Sequence, residues 1–221
     1  IPSFEAPRLG APWFAVRTWT ETQDPLASIA AALGGMAGRT LAVGDRTWAG
    51  FLLRLQGSLP GARWVSATPL LRELRMLKSA EEIAVLRTAG AAVDAIFQEM
   101  LGWRWTGRPE REIAEEIATA MRRDGCEAVD FVIVGSGPNG ASPHHSSSER
   151  IIRPGDAVVL DWGGPFTDGY YADITRTVVV GEASAELRQV YAVVQAAQEA
   201  GVQAVRPGVP CQEIDAAARQ V

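Results

Sequence analysis

The chain has 221 residues, 47% hydrophobic and 21% charged, the balance of a globular protein able to bury a core. Its formal net charge of −5 argues against a broad electrostatic footprint for nucleic acid, though not against a local positive patch. Apolar runs such as Ala157-Val158-Val159-Leu160 are too short to cross a bilayer, and no basic start followed by an apolar stretch marks a secretory signal. Neither a membrane nor a nucleic-acid partner is therefore expected, and the cytoplasm is the default location. Because Ile1 rather than methionine begins the sequence, an earlier targeting segment stays open. Cys126 and Cys211 stand far apart, in no CxxC arrangement, and read as buried small apolar side chains rather than a disulfide or thiolate metal site.

The first 68 residues read as a partial α/β domain. Trp13-Phe14-Ala15-Val16 is a short apolar run, Asp24 to Met36 is an alanine-rich helix closed by Gly34-Gly35 and Gly38, and Leu41-Ala42-Val43-Gly44-Asp45 is a strand ending in a turn. Phe51 to Leu55 follows as a helix and Arg63 to Ala67 as a strand. Residues 69–80 are expected to link this segment to a second domain, 81–221.

In that second part, Ser79 with Glu82 predicts a capping box, and Ile83, Leu86, Gly90, Val93, Phe97 and Met100 give one apolar helix face. A second helix starts at Pro109 and places Glu110 and Glu112 in its first turn and Arg122 and Arg123 near its end, matching the helix dipole. Ile113, Ile117 and Met121 form its buried stripe, and Gly125 stops it. Val129 to Val134 is strand-like, and Gly135 to Gly140 is loop. Ala157 to Asp161 is apolar at four successive positions and is expected to be buried on both faces. Tyr170 to Val180 forms another strand. Ser184 to Val205 forms a long helix with Leu187, Tyr191, Val194, Gln198 and Val202 in line. Ile214, Ala218 and Val221 keep helical spacing to the last residue without a cap, which suggests a chain cut inside a helix.

Asp161 and Asp173 end up on the two candidate strands, separated by a Gly/Pro-rich stretch with Asp168-Gly169 as turn dipeptide. Along the second strand Tyr171, Asp173, Thr175, Thr177 and Val179 share one face. Two readings stand at this point. The pair is either a solvated strand face with a turn aspartate, or a pair of carboxylates whose mutual repulsion is removed by a divalent cation taking their hard oxygens. Two carboxylates alone do not decide between them.

The stretch Leu160-Asp161-Trp162-Gly163-Gly164, followed by Gly169-Tyr170-Tyr171-Ala172-Asp173-Ile174-Thr175-Arg176-Thr177, resembles the pita-bread metallopeptidases, in particular the aminopeptidase P and Xaa-Pro dipeptidase (prolidase) branch. Arg75 to Ile83 resembles that family's domain join, and Gly135 to Ala141 with His144 resembles the loop before its first metal strand. The fold implied is an α/β amino-terminal segment followed by a truncated α+β pita-bread (creatinase/aminopeptidase) domain, with 81–221 as the domain's amino-terminal half. The resemblance assigns Asp161 and Asp173 as ligands of two divalent metal ions (Mn, Co or Zn), and His144 as a catalytic residue that hydrogen-bonds substrate. It further implies proline-containing peptides or dipeptides as substrates and a homodimer. The family's remaining histidine and two glutamate ligands have no counterparts here, since no histidine follows His145. The fragment itself is therefore expected to be inactive and the full-length protein to be an Xaa-Pro hydrolase. A creatinase-like metal-independent hydrolase and a non-catalytic interaction protein of the same fold are the alternatives.

Overall fold

The computed structural model describes residues 1–34 and 38–221, so the expected helix end at Gly35 and Met36 lies outside the described residues. The polypeptide forms two compact units, Ile1–Lys78 and Ser79–Val221. In the first, helix α1 (Pro25–Ala32) begins where the Asp24 side chain accepts a hydrogen bond from the Leu26 amide at 3.1 Å. Strands β1 (Thr40–Val43) and β2 (Arg63–Ser66) pair in parallel, Thr40 opposite Arg63, and helix α2 (Ala49–Ser58) lies between them in sequence as the crossover. Leu26 and Leu55 are the buried apolar side chains described in this unit. Trp13 to Val16 form no strand, and Trp13 and Phe14 are exposed. The stretch 69–80 carries most of a further helix, α3 (Thr68–Met76).

The second unit opens with α4 (Ala80–Met100) and its capping box: Ser79 Oγ accepts from the Glu82 amide at 3.2 Å, and Glu82 accepts from the Ser79 amide at 2.7 Å. Of the expected α4 stripe, Val93 and Met100 are buried, Leu86, Gly90 and Phe97 are half-buried and Ile83 is exposed, while Ala89 and Ile96 are buried alongside. Helix α5 (Glu110–Arg123), with Pro109 one position before it, buries Ile113, Ile117 and Met121 as their spacing predicts. Arg123 ties the two helices together through Glu99 at 2.6 Å.

Three antiparallel strands follow in the order β3 (Phe131–Ser136), β4 (Ala157–Pro165) and β5 (Tyr171–Val179). Val134, Val158, Leu160, Trp162, Ala172 and Ile174 point to the face covered by α4 and α5. Burial along β4 alternates, with Ala157, Val159 and Asp161 only half-buried, so the expectation of a strand buried on both faces is corrected. An antiparallel sheet covered on one face needs apolar side chains only at every second position. Gly163 and Gly164 belong to β4 rather than to a loop, and the turn is confined to Phe166–Tyr170, where Asp168 takes the left-handed conformation at φ 58°. The Tyr170 hydroxyl donates to Glu82 at 2.5 Å, anchoring this turn to the start of α4.

Helix α6 (Ala185–Ala204) packs against α7 (Cys211–Arg219), where Gly201 lies against Ala218. Of its expected apolar line, Tyr191, Val194 and Val202 are exposed, because α7 meets a different side of the helix. Cys126 is buried as expected, whereas Cys211 is exposed at the first residue of α7. No described helix is long and apolar enough to cross a membrane.

Among the described residues one acid is fully buried: Glu110, at the first position of α5. Burial alone pushes a carboxyl up. Here hydrogen bonds from Ser136, His145 and Ser148 outweigh burial and hold Glu110 down at about 2, from an ordinary 4.5. Its folded value lies below its unfolded one, so its contribution to stability is present above pH 4.5 and is lost as pH falls through about 2. A tenfold change in acidity corresponds to about 1.4 kcal/mol, which puts the contribution at neutral pH on the order of 3 kcal/mol. Denaturant unfolding of the parent and of Glu110→Gln should differ by about that much near neutrality and converge toward pH 2. In the same assay Ile117→Ala, which empties space between α5 and the sheet, should cost about 2–5 kcal/mol at every pH.

Candidate active site

The register of β4 and β5 fixes which side chains can meet. Asp161 lies opposite Thr175, and Gly163 lies opposite Asp173. Positions 161 and 163 share a face of β4, as 173 and 175 do on β5, so Asp161 and Asp173 stand as diagonal neighbours on one face. Diagonal sheet neighbours are about 7 Å apart between backbones, within reach of a common ligand. That face is the half-exposed one, away from α4 and α5. Gly163, between the two acids, has no room for a side chain: a Cβ there would come within 2.9 Å of the Ala172 carbonyl and of the Phe131 ring. Glycine therefore both lets the strands and Phe131 close up and leaves the space between the carboxylates open.

Asp161 accepts a hydrogen bond from Thr175 Oγ1 at 2.9 Å, which orients one of its oxygens. Asp173 has its carboxyl raised, first by burial and then by the neighbouring charge of Asp161. Two carboxylates side by side on one face are a donor set suited to a hard divalent cation. They fit part of a metal site only. No group of three or more histidine, cysteine, aspartate or glutamate side chains able to hold a metal is found among the described residues.

Both acids line a groove of about 880 Å³, whose other walls include Phe131, Ile133, Arg111, His144 and His145. His144 is exposed on the loop that follows β3, beyond a single 3₁₀ turn at Gly137–Ala141, and it makes no side-chain hydrogen bond to another described residue. The adjacent histidines differ in what their rings touch. Both line the groove, but His145 Nε2 also sits 2.8 Å from the buried Glu110 Oε2, whereas the His144 ring has no such partner among the described residues. Asp161, Asp173 and His144 thus come together at one groove.

Sequence reading placed Glu110 only as a helix-dipole residue and missed its buried role. The signal lay in the loop itself. Ser136, Asn139, Ser146, Ser147 and Ser148 are a run of small hydrogen-bond donors with no acid among them, and such a run calls for an acceptor from elsewhere. Nothing in one sequence says which glutamate supplies it.

Comparison with known proteins fits this geometry. The model of metallopeptidase family M24 matches residues 84–221. A probable dipeptidase PepE of Mycobacterium tuberculosis is 45% identical over 203 residues, covering 92% of this chain and 54% of that protein. An Xaa-Pro dipeptidase of Pyrococcus furiosus is 35% identical over 153 residues, covering 69% of this chain and 44% of that protein. Among solved structures, a recombinant prolidase from Thermococcus sibiricus superposes with a TM-score of 0.92 at 35% identity, covering 99% of this chain and 60% of that one. The chain thus spans about half the length of the curated relatives it matches. With the family model covering well over half of its residues and the whole described fold shared with a prolidase, the chain belongs to metallopeptidase family M24.

Proposed function

We propose that the full-length protein hydrolyses the bond before proline in Xaa-Pro dipeptides or peptides, with Asp161 and Asp173 contributing to a site for two divalent cations and His144 contacting substrate. The observation that carries this reading is the convergence of the two strand acids on one face, beside His144, in one groove. The names of the relatives, a probable dipeptidase and an Xaa-Pro dipeptidase, supply the substrate class. Bound divalent cations supply Lewis-acid chemistry and cancel the repulsion between the carboxylates.

Orientation and proton handling fall to the chain's own residues. Thr175 fixes one Asp161 oxygen, leaving the other to face the groove. Asp173, its carboxyl raised by burial and by the charge of Asp161, is stabilised in its charged form when positive charge lies alongside. The unengaged His144 ring donates a hydrogen bond to the substrate carbonyl or to the oxygen on which negative charge develops. Mn²⁺, Co²⁺ and Zn²⁺ are the candidate ions. In this reading the chain divides into a partial α/β domain over 1–68, a linker over 69–80 and the amino-terminal half of the catalytic domain over 81–221. A homodimer, drawn from the family resemblance, and a cytoplasmic location also belong to it.

Full-length protein assayed on Xaa-Pro dipeptides and on longer Xaa-Pro peptides with each ion should show metal-dependent release of the first residue. No turnover with any of them contradicts the reading. Asp161→Asn and Asp173→Asn should each lower kcat/KM by about 100-fold or more and weaken divalent binding in calorimetry, while His144→Ala should lower kcat by about 100-fold and leave metal binding intact. The 221-residue chain alone should be inactive, and metal-dependent turnover from it would overturn that part of the proposal.

A further inference from the structure

Glu110 is fully buried, yet the proposed reaction gives it no part. Its two oxygens are served from the two ends of one loop. Oε1 accepts from the Ser136 amide and hydroxyl, both at 2.7 Å, and from Asn139 Nδ2 at 3.0 Å. Oε2 accepts from the Ser148 amide at 3.0 Å and hydroxyl at 2.7 Å, and from His145 Nε2 at 2.8 Å. Ser136 ends β3, and Ser148 follows the His144-His145 pair, so one carboxylate closes the segment 137–147 into a loop.

The clamp stands on a rigid base. Glu110 is the first residue of α5, which Ile113, Ile117 and Met121 lock into the core. Beneath the Ser136 end, Arg150 donates to Ser136 Oγ at 2.6 Å while pairing with Asp156 through both of its terminal nitrogens, at 2.7 and 2.9 Å. Gly137, at φ 49°, permits this approach, since a Cβ there would lie 2.6 Å from Arg150 Nη2 and 2.8 Å from Asp156 Oδ1.

An ionised carboxylate accepts and cannot donate, so the His145 nitrogen facing Glu110 must carry a proton. The ring is thereby fixed in orientation as well as place. The ring lines the groove holding Asp161 and Asp173 together with His144, its neighbour in sequence.

We propose that Glu110 and His145 are positioning residues: the buried carboxylate clamps both ends of the 137–147 segment and, through the His145 ring, holds His144 against the groove. The catalytic consequence rests on the Xaa-Pro reading given above; the clamp itself does not.

Two readouts on the full-length protein keep these apart. In amide hydrogen exchange, Ser136 and Ser148 should be protected in the parent and should exchange at least about ten-fold faster in Glu110→Gln, because the Gln amide nitrogen cannot accept from one set of donors. Unchanged exchange at both amides overturns the clamp. In turnover of an Xaa-Pro dipeptide, His145→Ala should lower kcat by about 10- to 100-fold with KM and divalent affinity little changed. His145→Gln, whose amide can donate to Glu110 in place of the ring, should restore most of that loss. A His145→Ala protein with parental kcat, or a His145→Gln protein as impaired as His145→Ala, overturns the positioning role. If the parent turns over no Xaa-Pro substrate, the functional reading fails and hydrogen exchange alone judges the clamp. If Glu110→Gln does not fold, the His145 pair of variants judges it.

Discussion

The antiparallel register between β4 and β5 is the constraint on which the site depends. Side chains alternate with a period of two, so a slip of one residue would send Asp173 to the helix-covered face and leave Asp161 alone in the groove. The register is held from both sides. On the inner face Leu160, Trp162, Ala172 and Ile174 are buried against the helices and could not be exchanged for Asp161 or Thr175 without burying unpartnered polar groups. On the outer face, Gly163 admits the Phe131 ring where any other residue would collide with it. The turn adds a third restraint, because the Tyr170 hydroxyl ties it to Glu82 in the capping box of α4. Packing that is largely apolar on one face therefore sets the geometry of two acids on the other.

The acids of this half-domain are treated in two opposite ways. Glu110 is surrounded by donors from Ser136, Asn139, His145 and Ser148, which satisfy its charge and hold its carboxyl at about 2. Asp161 has one hydroxyl donor, and Asp173 has burial and a like charge beside it, which raise its carboxyl. A carboxylate whose needs are met by the protein is a structural group. A pair whose needs are left unmet, facing a groove, is ready for a ligand of opposite charge. That contrast, rather than the mere count of acidic residues, separates the clamp from the candidate metal site.

Much of this was legible in the sequence where local patterns act alone. The capping box at Ser79 and Glu82, the α5 stripe Ile113-Ile117-Met121 and the common face of Asp173, Thr175 and Thr177 all follow from spacing. Elements whose burial depends on distant partners were read less well. The α4 stripe holds from Leu86 to Met100 but Ile83 stays exposed, and the apolar line on α6 stays exposed because α7 meets another side. The apolar run of β4 looked doubly buried although only alternate residues face the helices. Glu110 was invisible for the same reason, since its donors come from positions 26 to 38 residues away. The family resemblance singled out His144 over His145, but what each ring reaches across space could not be read from the sequence.

The chain spans 60% of the prolidase structure on which it superposes, and its described residues supply two acids but no complete ligand set. The proposed function places metal at these two acids in the full-length protein. Anomalous diffraction at the manganese edge, from crystals of full-length protein grown with Mn²⁺, tests this most directly. Peaks in direct coordination with the carboxylates of both Asp161 and Asp173 are the predicted result. Manganese bound elsewhere, with these two acids facing only solvent, would contradict the account.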